Sequence, residues 1–561
     1  MKKITLLFLL LHIGVPAICQ TLYNNLIPDS TFNKFGYRRV HPNLYYPGFT
    51  TGADGSMYIA ASHGSQANVA TLMTLSVQKL NSSGQPDSSF GTNSTSNINI
   101  LAIEPNISFF IVKSVRLQND GKVVILAAAG MQYGGAQYSD SKGWHALVRL
   151  KANGQPDSTF SGDGIVFAKV TAGNEDRPMC LAIDESIPGQ PKYYIGGTSA
   201  AFGTWHLGAN QFFITRYLYN GTPDLTFNST GYIQGSGTLI NMASGTGYAG
   251  TLSMKVVNNQ KLLVAGAHSS RQFFMMRLHP NGSFDSSFAG TGRVLRQVSF
   301  ISALNELGAT HILPDNSVAF TAEDVTYGSS LSSLDSFYLH VARQNADGTP
   351  MTGFGINGEL HYNYAAKGLY HKETFDDSSR MLLGYYRHDG SNTAQKINLV
   401  RFTKNGRLDS SFASNGVLQS EPVLQDDWVN ASALLGGLQF STDYKKLYLC
   451  GFYSKQASHG IIAYRYKYPV KAVNMGVQPL PGIAATVYPN PVTDELRIQF
   501  SAPVTQASVQ LTSCLGQVVW QGAFQQVQSC SLPMQQLPSG IYVLHITNKE
   551  QQSYTTTISK R

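Results

Sequence analysis

A short motif recurs along most of the 561 residues and constrains the fold more than any other feature of the chain. Its pattern is a polar turn followed by Asp, two further residues and Phe, as in ANGQPDSTF. The first and last aspartates lie six steps apart, so the period is about 63 residues. A period of this length predicts stacked or radial structural units. The motif aspartates are Asp29, Asp87, Asp157, Asp224, Asp285 and Asp409, with Met351 in the remaining copy.

Each repeat also contains apolar runs typical of β-strands. KVVILAAA and HALVRL are examples, and Asp-Gly and Asn-Gly dipeptides between such runs indicate hairpin turns. Apolar runs flanked by Gly on both sides predict inner strands that are covered on two faces. Seven units of short antiparallel strands cannot each bury a core alone, whereas a radial arrangement covers both faces and edges.

The sequence therefore predicts an all-β chain whose main part is a seven-bladed β-propeller. The first motif lies at the start of the chain and no copy follows the last strand, IIAYRYKYP, so the N-terminal strand is expected to complete the last blade. The repeat resembles the delta-60 repeat family over roughly residues 27–470, and this resemblance also implies a propeller. Two separate sandwiches and an open β-solenoid are the alternatives.

The motif aspartates are expected to have a structural role. A basic residue precedes most of them by eight positions, and Arg149 and Asp157 would face each other across a turn near Asn153, where an ion pair can be bidentate. Arg343 would face Met351 and lack its partner, while Arg465 would pair with Asp29 if the ring closes. A residue repeated around a ring meets similar surroundings in every unit, which favours architecture over catalysis.

The N-terminus has the pattern of a secretory signal peptide, residues 1–20. Lys2 and Lys3 precede an apolar run that is too short to span a membrane, and Ala17 is a small residue near its end. A membrane anchor and a lipoprotein attached at Cys19 are the alternatives. No later run is long enough to cross a bilayer, so the mature chain is expected to have no transmembrane segment. Cys514 and Cys530 lie close enough in sequence to leave their pairing open.

The last part of the chain, residues 484–561, changes character and is predicted to be a small β-sandwich after a linker at residues 471–483. It resembles the type A C-terminal sorting domain of the type IX secretion system of Bacteroidetes. That resemblance implies export across the outer membrane, interaction with the secretion machinery, removal of the tail, and release or attachment of the rest, residues 21–470, at the cell surface. The residues that carry the resemblance are Tyr488, Pro489, Asn490, Pro491, Gly516, Pro538, Gly540, Ile541, Tyr542 and Lys560.

Composition and motifs exclude several classes of function. The net charge of +8 is spread along the chain without the clustered Lys and Arg of a nucleic-acid-binding protein. The sequence has no H-E-x-x-H, G-x-S-x-G or phosphate-binding G-x-x-x-x-G-K-[ST] motif, and neither a metal site nor a cofactor is expected. His268, His311, His340 and His371 lie near or in predicted strands and are interpreted as satisfied polar groups.

The long insertions all fall at one position of the repeat, so a propeller would place them on one face. Their aromatic and polar residues form a candidate surface for a glycan or a protein, with ordinary surface loops as the alternative. The expected function is a non-catalytic, exported binding scaffold. The alternative is an enzyme acting on extracellular polysaccharide, with Asp140, Glu323, Asp324 and Asp389 as scattered candidates. The candidate binding residues are Tyr133, Tyr138, Trp144, Trp205, Tyr327, Tyr386 and His388.

Overall fold

The computed structural model divides the chain into two compact units. We call them the repeat unit, Met1–Pro469, and the tail unit, Val470–Arg561. Within the described residues, none of the helical segments has the length and apolar character needed to cross a membrane. The described residues are 27–33, 37–42, 45–62, 73–132, 141–170, 174–201, 211–235, 249–268, 272–297, 309–327, 334–363, 371–387, 396–413, 416–419, 432–455, 458–468, 485–513, 517–549 and 553–561.

The first half of the repeat unit consists of two short N-terminal strands and three four-stranded antiparallel sheets. In each of these sheets the strands are hydrogen-bonded in chain order. The strands are β1 (Ile27–Pro28), β2 (Tyr37–Pro42), then β3 (Tyr45–Thr51), β4 (Met57–Ser62), β5 (Thr74–Leu80), β6 (Thr95–Asn99), then β7 (Phe109–Leu117), β8 (Val123–Gln132), β9 (Ser141–Leu150), β10 (Ile165–Ala168), then β11 (Asn174–Asp184), β12 (Lys192–Ala201), β13 (Gln211–Tyr217) and β14 (Tyr232–Gly235).

The second half continues the same order with three four-stranded sheets and a last group of three strands. Two short 3-10 segments, Ile100–Ala102 and Asn258–Gln260, connect strands of the repeat unit. The strands are β15 (Ala249–Val257), β16 (Lys261–His268), β17 (Gln272–Leu278), β18 (Arg293–Gln297), then β19 (Thr310–Ile312), β20 (Val318–Tyr327), β21 (Leu334–Gln344), β22 (Glu359–Asn363), then β23 (His371–Phe375), β24 (Met381–Arg387), β25 (Lys396–Phe402), β26 (Val417–Gln419), then β27 (Ser432–Phe440), β28 (Lys446–Lys455) and β29 (Ser458–Lys467).

The N-terminal strands pair with the last strand of the repeat unit. β1 and β2 both run antiparallel to β29, with Ile27 opposite Lys467 and Tyr37 opposite Tyr464. The last sheet therefore contains five strands, two of which come from the opposite end of the repeat unit. The first strands of successive sheets also contact one another, including β3 with β7, β7 with β11, β11 with β15 and β27 with β3.

The second strand of each sheet supplies most of the buried core. All six residues of β4 are buried, as are the seven residues from Val123 to Ala129 in β8. Buried residues at consecutive positions mean that both faces of the strand are covered, as the apolar runs predict. Cys450, on β28, is completely buried among aliphatic and aromatic residues, and burial raises the pKa of its thiol. Cys450 therefore acts as a small core residue.

The tail unit is one five-stranded antiparallel sheet with the order β30-β31-β33-β34, in which β32 pairs with β31. Its long strand β31 changes register between Gln499 and Val504, and apolar residues from both halves share one core. Cys530 is a buried free thiol, and Cys514 lies outside the described residues. The strands are β30 (Ala485–Tyr488), β31 (Glu495–Ser513), β32 (Val518–Pro533), β33 (Gly540–Asn548) and β34 (Ser553–Lys560).

Candidate functional site

The recurring motif is a hydrogen-bonded turn that joins the third and fourth strands of a sheet. In the copy after β9, the amide of Asp157 donates to the carbonyl of Arg149 at 3.0 Å, and the amide of Phe160 donates to the carbonyl of Asp157 at 2.8 Å. One Asp157 oxygen accepts bonds from the amide and hydroxyl of Thr159. Phe160 is completely buried and lies under the Arg149 guanidinium, with 4.7 Å between the guanidinium carbon and the ring centroid.

The predicted ion pairs are present in all six copies that contain Asp, with N–O distances of 2.5–2.8 Å. The pair between Arg465 and Asp29 joins the two ends of the repeat unit, and both side chains are 1% exposed. Arg149 does not form the expected bidentate ion pair with Asp157. Its Nε donates to the Asp157 carboxylate, and an Nη donates to the Thr159 hydroxyl instead. The pairs are Lys79–Asp87, Arg149–Asp157, Arg216–Asp224, Arg277–Asp285, Arg401–Asp409 and Arg465–Asp29.

The same motif also fastens each sheet to the next one. Arg149 donates a further hydrogen bond to the carbonyl of Tyr219, and the amide of Ser161 donates to the carbonyl of Asn220 at 2.9 Å. Both acceptors belong to the corresponding turn of the following sheet. Gly154 shows how closely the turns approach: its φ is +85°, and a Cβ would lie 2.8 Å from the amide nitrogen of Gly91 in the preceding motif.

Burial and hydrogen bonding act against each other at the motif carboxylates. Burial raises the pKa of Asp157, but the bonds from Thr159 and the charge of Arg149 outweigh it and hold the pKa below its ordinary value. At Asp87, the hydrogen bond from Lys79 is the largest influence and lowers the pKa to about 2. These carboxylates are therefore ionised at neutral pH, and each is held by an ion pair and hydrogen bonds to neighbouring residues.

A cavity of about 800 Å³ opens where the first strands converge. Its walls come from the ends of β7, β11, β15, β19 and β23 and from the turn that contains Tyr444. The apolar part includes Phe375, and the polar part includes Arg116, Lys255, Glu185 and His311. A concave space of this volume, lined by both polar and apolar groups, falls within the size range of small-molecule sites.

The cavity is also the place where charged groups from different sheets approach one another. Lys255 donates hydrogen bonds to the carbonyl oxygens of Leu313 and Pro314 and to the Asn316 side chain, at 2.9–3.2 Å. The Glu185 carboxylate accepts a bond from the amide of Asn119 at 2.8 Å. His311 lies 3.7 Å from a Glu373 carboxylate oxygen. Sequence reasoning treated His311 as an ordinary strand residue, and only the convergence of the strands places it in a cavity wall.

The predicted binding face lies mostly outside the described side chains. Trp144 is the member of the set whose side chain is described: it packs against the core of its sheet, with the Lys169 ammonium 4.8 Å from the centroid of its ring. This position matches the alternative in which loop aromatics pack onto the sheets. Tyr327 is the last residue of β20 and Tyr386 the second-to-last residue of β24, and only their backbone is described. Tyr133, Tyr138, Trp205 and His388 lie outside the described residues.

The carboxylates considered as catalytic candidates also have no described side chains. Asp140 and Asp389 lie outside the described residues, and Glu323 and Asp324 are described by their backbone in β20. These residues therefore remain sequence-based candidates.

A buried polar chain between two sheets was not predicted. His145 Nδ1 lies 3.1 Å from an Asp176 carboxylate oxygen, and its Nε2 lies 2.6 Å from the Tyr217 hydroxyl. Asp176 also accepts the amide of Val170 at 2.8 Å. The His145 and Asp176 side chains are completely buried. These hydrogen-bonded side chains therefore stabilise the packing of the two sheets and are not accessible to a substrate in solution. The three residues are far apart in sequence, and no local pattern connects them.

A second histidine pair spans two strands. The Nδ1 atoms of His340 on β21 and His361 on β22 lie 2.7 Å apart. Among the residues that the structure describes, no group of three or more His, Cys, Asp or Glu side chains is arranged to hold a metal ion.

Several of the predicted sorting residues lie near the edge strand β34 of the tail unit, whereas Gly516 lies outside the described residues. The side chain of Asn490 bonds to the carbonyl of Thr557 and to the amide of Ser559, both at 2.8 Å. Val492 forms a bridge with Lys560, so the YPNP segment lies against the last strand. The hydroxyl of Tyr542 donates to the carbonyl of Pro538 at 2.7 Å.

Comparison with known families agrees with both units. Residues 486–560 match the family described as "Secretion system C-terminal sorting domain". Residues 118–160, 259–288 and 382–412 match "Domain of unknown function (DUF5122) beta-propeller". The chain combines β-propeller repeats with a secretion-system sorting domain. The sorting domain implies that the protein is exported to the cell surface or beyond it.

No curated protein matches this chain. Among solved structures, a DUF3244 family protein with an immunoglobulin-like β-sandwich from Bacteroides vulgatus is 21% identical, over 14% of this chain and 86% of its own, with a TM-score of 0.13. The β-propeller domain of the Trilobed protease from Pyrococcus furiosus is 8% identical, over 81% of this chain and 94% of its own, with a TM-score of 0.29. An α-L-arabinofuranosidase from Fusarium graminearum is 9% identical, over 65% of this chain and 94% of its own, with a TM-score of 0.33.

Proposed function

We propose that the protein is an exported, non-catalytic binding scaffold whose repeat unit is a closed, seven-bladed β-propeller. In this proposal the signal peptide directs the chain to the periplasm, and the tail unit directs it through the type IX machinery. The repeat unit then binds a glycan or a protein outside the cell, either released or attached to the surface. The delta-60 repeat assignment and an origin in Bacteroidetes are part of the same proposal.

The pairing of the chain ends supports closure. β1 and β2 add to β29, β27 contacts β3, and Asp29 pairs with Arg465 across 436 residues. The Arg465 guanidinium also donates to the carbonyl of Ser82 in the next sheet, as Arg149 does with Tyr219. The junction between the ends thus uses the same contacts as the other junctions, which supports a continuous ring.

The cavity among the first strands is the observation that carries the binding role. It is large enough for one or two sugar units or for a few side chains of a peptide. Its lining contains both aromatic and hydrogen-bonding groups. The motif carboxylates support the absence of catalysis, because each is engaged by its own Arg or Lys and by the turn that follows it. A carboxylate held in this way is a poor general acid or base.

A glycan array and a hydrolysis screen with the purified full chain test the proposal. Binding of defined glycans without release of shorter products is the expected result. Release of products would support the alternative, an enzyme acting on extracellular polysaccharide. A variant with Phe375→Ala, in the cavity wall, is expected to weaken binding, whereas Ile187→Ala, at an exposed turn position, is the matched control and should leave binding unchanged. Binding that is unaffected by Phe375→Ala would place the ligand elsewhere.

A further inference from the structure

Two histidines, which we call the histidine pair, face each other across the outer two strands of the sheet β19–β22. His340 on β21 lies directly opposite His361 on β22, and their Nδ1 atoms are 2.7 Å apart. The ring centroids are 4.9 Å apart and the rings are inclined at 80°. This centroid separation is close to the largest that the distance between the Nδ1 atoms permits, so each Nδ1 points at the other. The contact is therefore a hydrogen bond in which one Nδ1–H donates and the other Nδ1 accepts.

The hydrogen bond of the histidine pair requires that at least one ring is neutral. A protonated imidazole has an N–H at both nitrogens and no acceptor, so two protonated rings would place two donors and two positive charges against each other. Protonation of both rings therefore breaks the bond. His361 is exposed, so protons in solution reach the pair, whereas His340 is 7% exposed. Imidazole is the side chain whose charge ordinarily changes between pH 5 and pH 8.

The strand β22 is otherwise held less firmly than comparable outer strands. None of its five residues is buried, whereas β6, β10 and β14 each contain buried residues. Leu360 and Tyr362 pack against the core of the sheet but are only partly buried. The turn that leads into β22 is the copy with Met351 in place of Asp, so it does not contain the Arg–Asp ion pair found after β9. A single side-chain hydrogen bond is therefore a large part of what holds β22 to β21.

The charged groups near the start of β22 are paired with each other. Glu359 lies two residues before His361, and its carboxylate is 3.6 Å from the guanidinium of Arg296, on β18 of the preceding sheet. Arg296 also donates to the carbonyl of Asn357 at 3.3 Å. These contacts fasten the start of β22 independently of the histidine pair, and Arg296 balances the charge of Glu359.

The strands β20 and β21 present few titratable groups to the pair. The Tyr338 ring is stacked beside His340, with 6.3 Å between the ring centroids. On β20, the residue opposite His340 is Ala322. Asp324 lies two residues further along β20, opposite Tyr338, and only its backbone is described. Protonation of the histidine pair is therefore the charge change that acts directly on the contact between β21 and β22.

We propose that the histidine pair is an acid-sensitive switch that holds the end of β22 on β21 at neutral pH and releases residues 360–363 when both rings are protonated. With the bond intact the pair takes up one extra proton, whereas the released pair takes up two. The free energy of release therefore falls as the pH falls, and the stabilisation that is present near pH 7 is lost towards pH 5. The switch is independent of which ligand the repeat unit binds.

Hydrogen–deuterium exchange of the full chain at pH 7.5 and pH 5, corrected for the intrinsic effect of pH on exchange, tests the switch. Protection of peptides covering β22 should fall about tenfold at pH 5, roughly the effect of losing one side-chain hydrogen bond. The strand β34 in the tail unit is the internal control. There His545 lies opposite Thr555, with its Nδ1 2.7 Å from the hydroxyl oxygen. A hydroxyl accepts from a protonated ring, so β34 should keep its protection.

Two substitutions at His361 separate the proton response from the contact itself. In His361→Gln the side-chain carbonyl accepts from His340 in either protonation state, so β22 should stay protected at both pH values. His361→Ala removes the partner and should lower the protection of β22 at pH 7.5 to the level of the parent chain at pH 5. The matched control, His545→Gln, should leave the response of β22 unchanged.

Three results would overturn the switch. Protection of β22 that is equal at both pH values would show that the strand does not depend on the pair. An equal loss in β22 and β34 would show general destabilisation by acid. An acid response that persists in His361→Gln would assign it to another group.

Discussion

Two copies of the same turn, one after β9 and one after β21, differ at the position that faces the arginine. In the first, Arg149 meets Asp157, and in the second, Arg343 meets Met351. The backbone is nevertheless the same: the amide of Met351 donates to the carbonyl of Arg343 at 3.2 Å, against 3.0 Å for Asp157 and Arg149. The amide of the residue after each motif Phe also reaches the next sheet at 2.9 Å in both copies.

The two turns differ in the hydrogen-bond partners of the arginine guanidinium. Arg343 remains completely buried, donates to the Ser317 hydroxyl at 2.8 Å and to the carbonyl of Ser379 at 3.2 Å, and its Nε has no hydrogen-bond partner. Burial lowers the pKa of Arg343, and the charge of Asp315 opposes this. The comparison shows that the turn residues and the buried Phe determine the backbone, while the carboxylate satisfies a cation that the packing keeps buried.

The largest effect is expected when the complete pair is broken. Asp157→Asn keeps an acceptor for Thr159 but removes the charge that faces Arg149, so a buried guanidinium is left unpaired. The free energy of unfolding should fall by about 3–5 kcal/mol. Denaturant titration followed by fluorescence measures this. A loss below about 1 kcal/mol would contradict this prediction, because it would show that the ion pair between Arg149 and Asp157 contributes little to the free energy of unfolding.

Restoring the missing carboxylate should instead raise the free energy of unfolding. Met351→Asp combined with Gly353→Ser supplies Arg343 with both acceptors of the complete motif, and we expect a gain of about 1–2 kcal/mol. The same substitutions in an Arg343→Met background should give no gain, which separates the pair from other consequences of the change. Equal effects in both backgrounds would contradict the role assigned to Arg343.

A smaller effect is expected at the most exposed pair. Lys79 and Asp87 are 15% and 20% exposed, against 4% and 2% for Arg149 and Asp157. Water screens a partly exposed pair, so Asp87→Asn should cost about 0.2–1 kcal/mol. Thermal denaturation of the Asp87 and Asp157 variants side by side provides the measurement, and a cost at Asp87 equal to that at Asp157 would refute the dependence on burial.

The smallest expected change is in the response to acid. The pKa of Asp87 is about 2 in the folded protein and near 3.9 when unfolded, so its contribution is present above pH 4 and is lost as the pH falls towards 2. Asp157 and Asp409 shift in the same direction. Asp87→Asn should therefore flatten the decline of stability between pH 4 and pH 2. An unchanged slope would mean that Asp87 titrates alike in both states.

Much of the repeat architecture could be predicted because its signals are local. Arg149 and Asp157 are eight residues apart on either side of one turn, so their pairing follows from hairpin geometry. The partner missing at Met351 could be predicted in the same way. The substitute contacts of Arg343 could not, because Ser317 and Ser379 lie in other turns and only packing brings them near.

The candidate site was less predictable than the fold. The predicted aromatic residues were chosen from long insertions, and the side chain of Trp144 packs on its own sheet. The cavity, by contrast, is lined by short segments of strands that are distant in sequence, and Arg116 and His311 belong to two of them. Neither residue lies in a recognisable motif, so no sequence pattern marked them.

The sequence by itself determined the repeat, the hairpins, the ion pairs within each turn and the separate sorting tail, because each depends on residues close together in the chain. Only the tertiary structure decided which side chains meet across sheets: the chain Asp176–His145–Tyr217, the contacts of Arg343, and the cations around the cavity. The physical reason is that these contacts join residues from different sheets, and their distances depend on how all the strands converge rather than on any one segment.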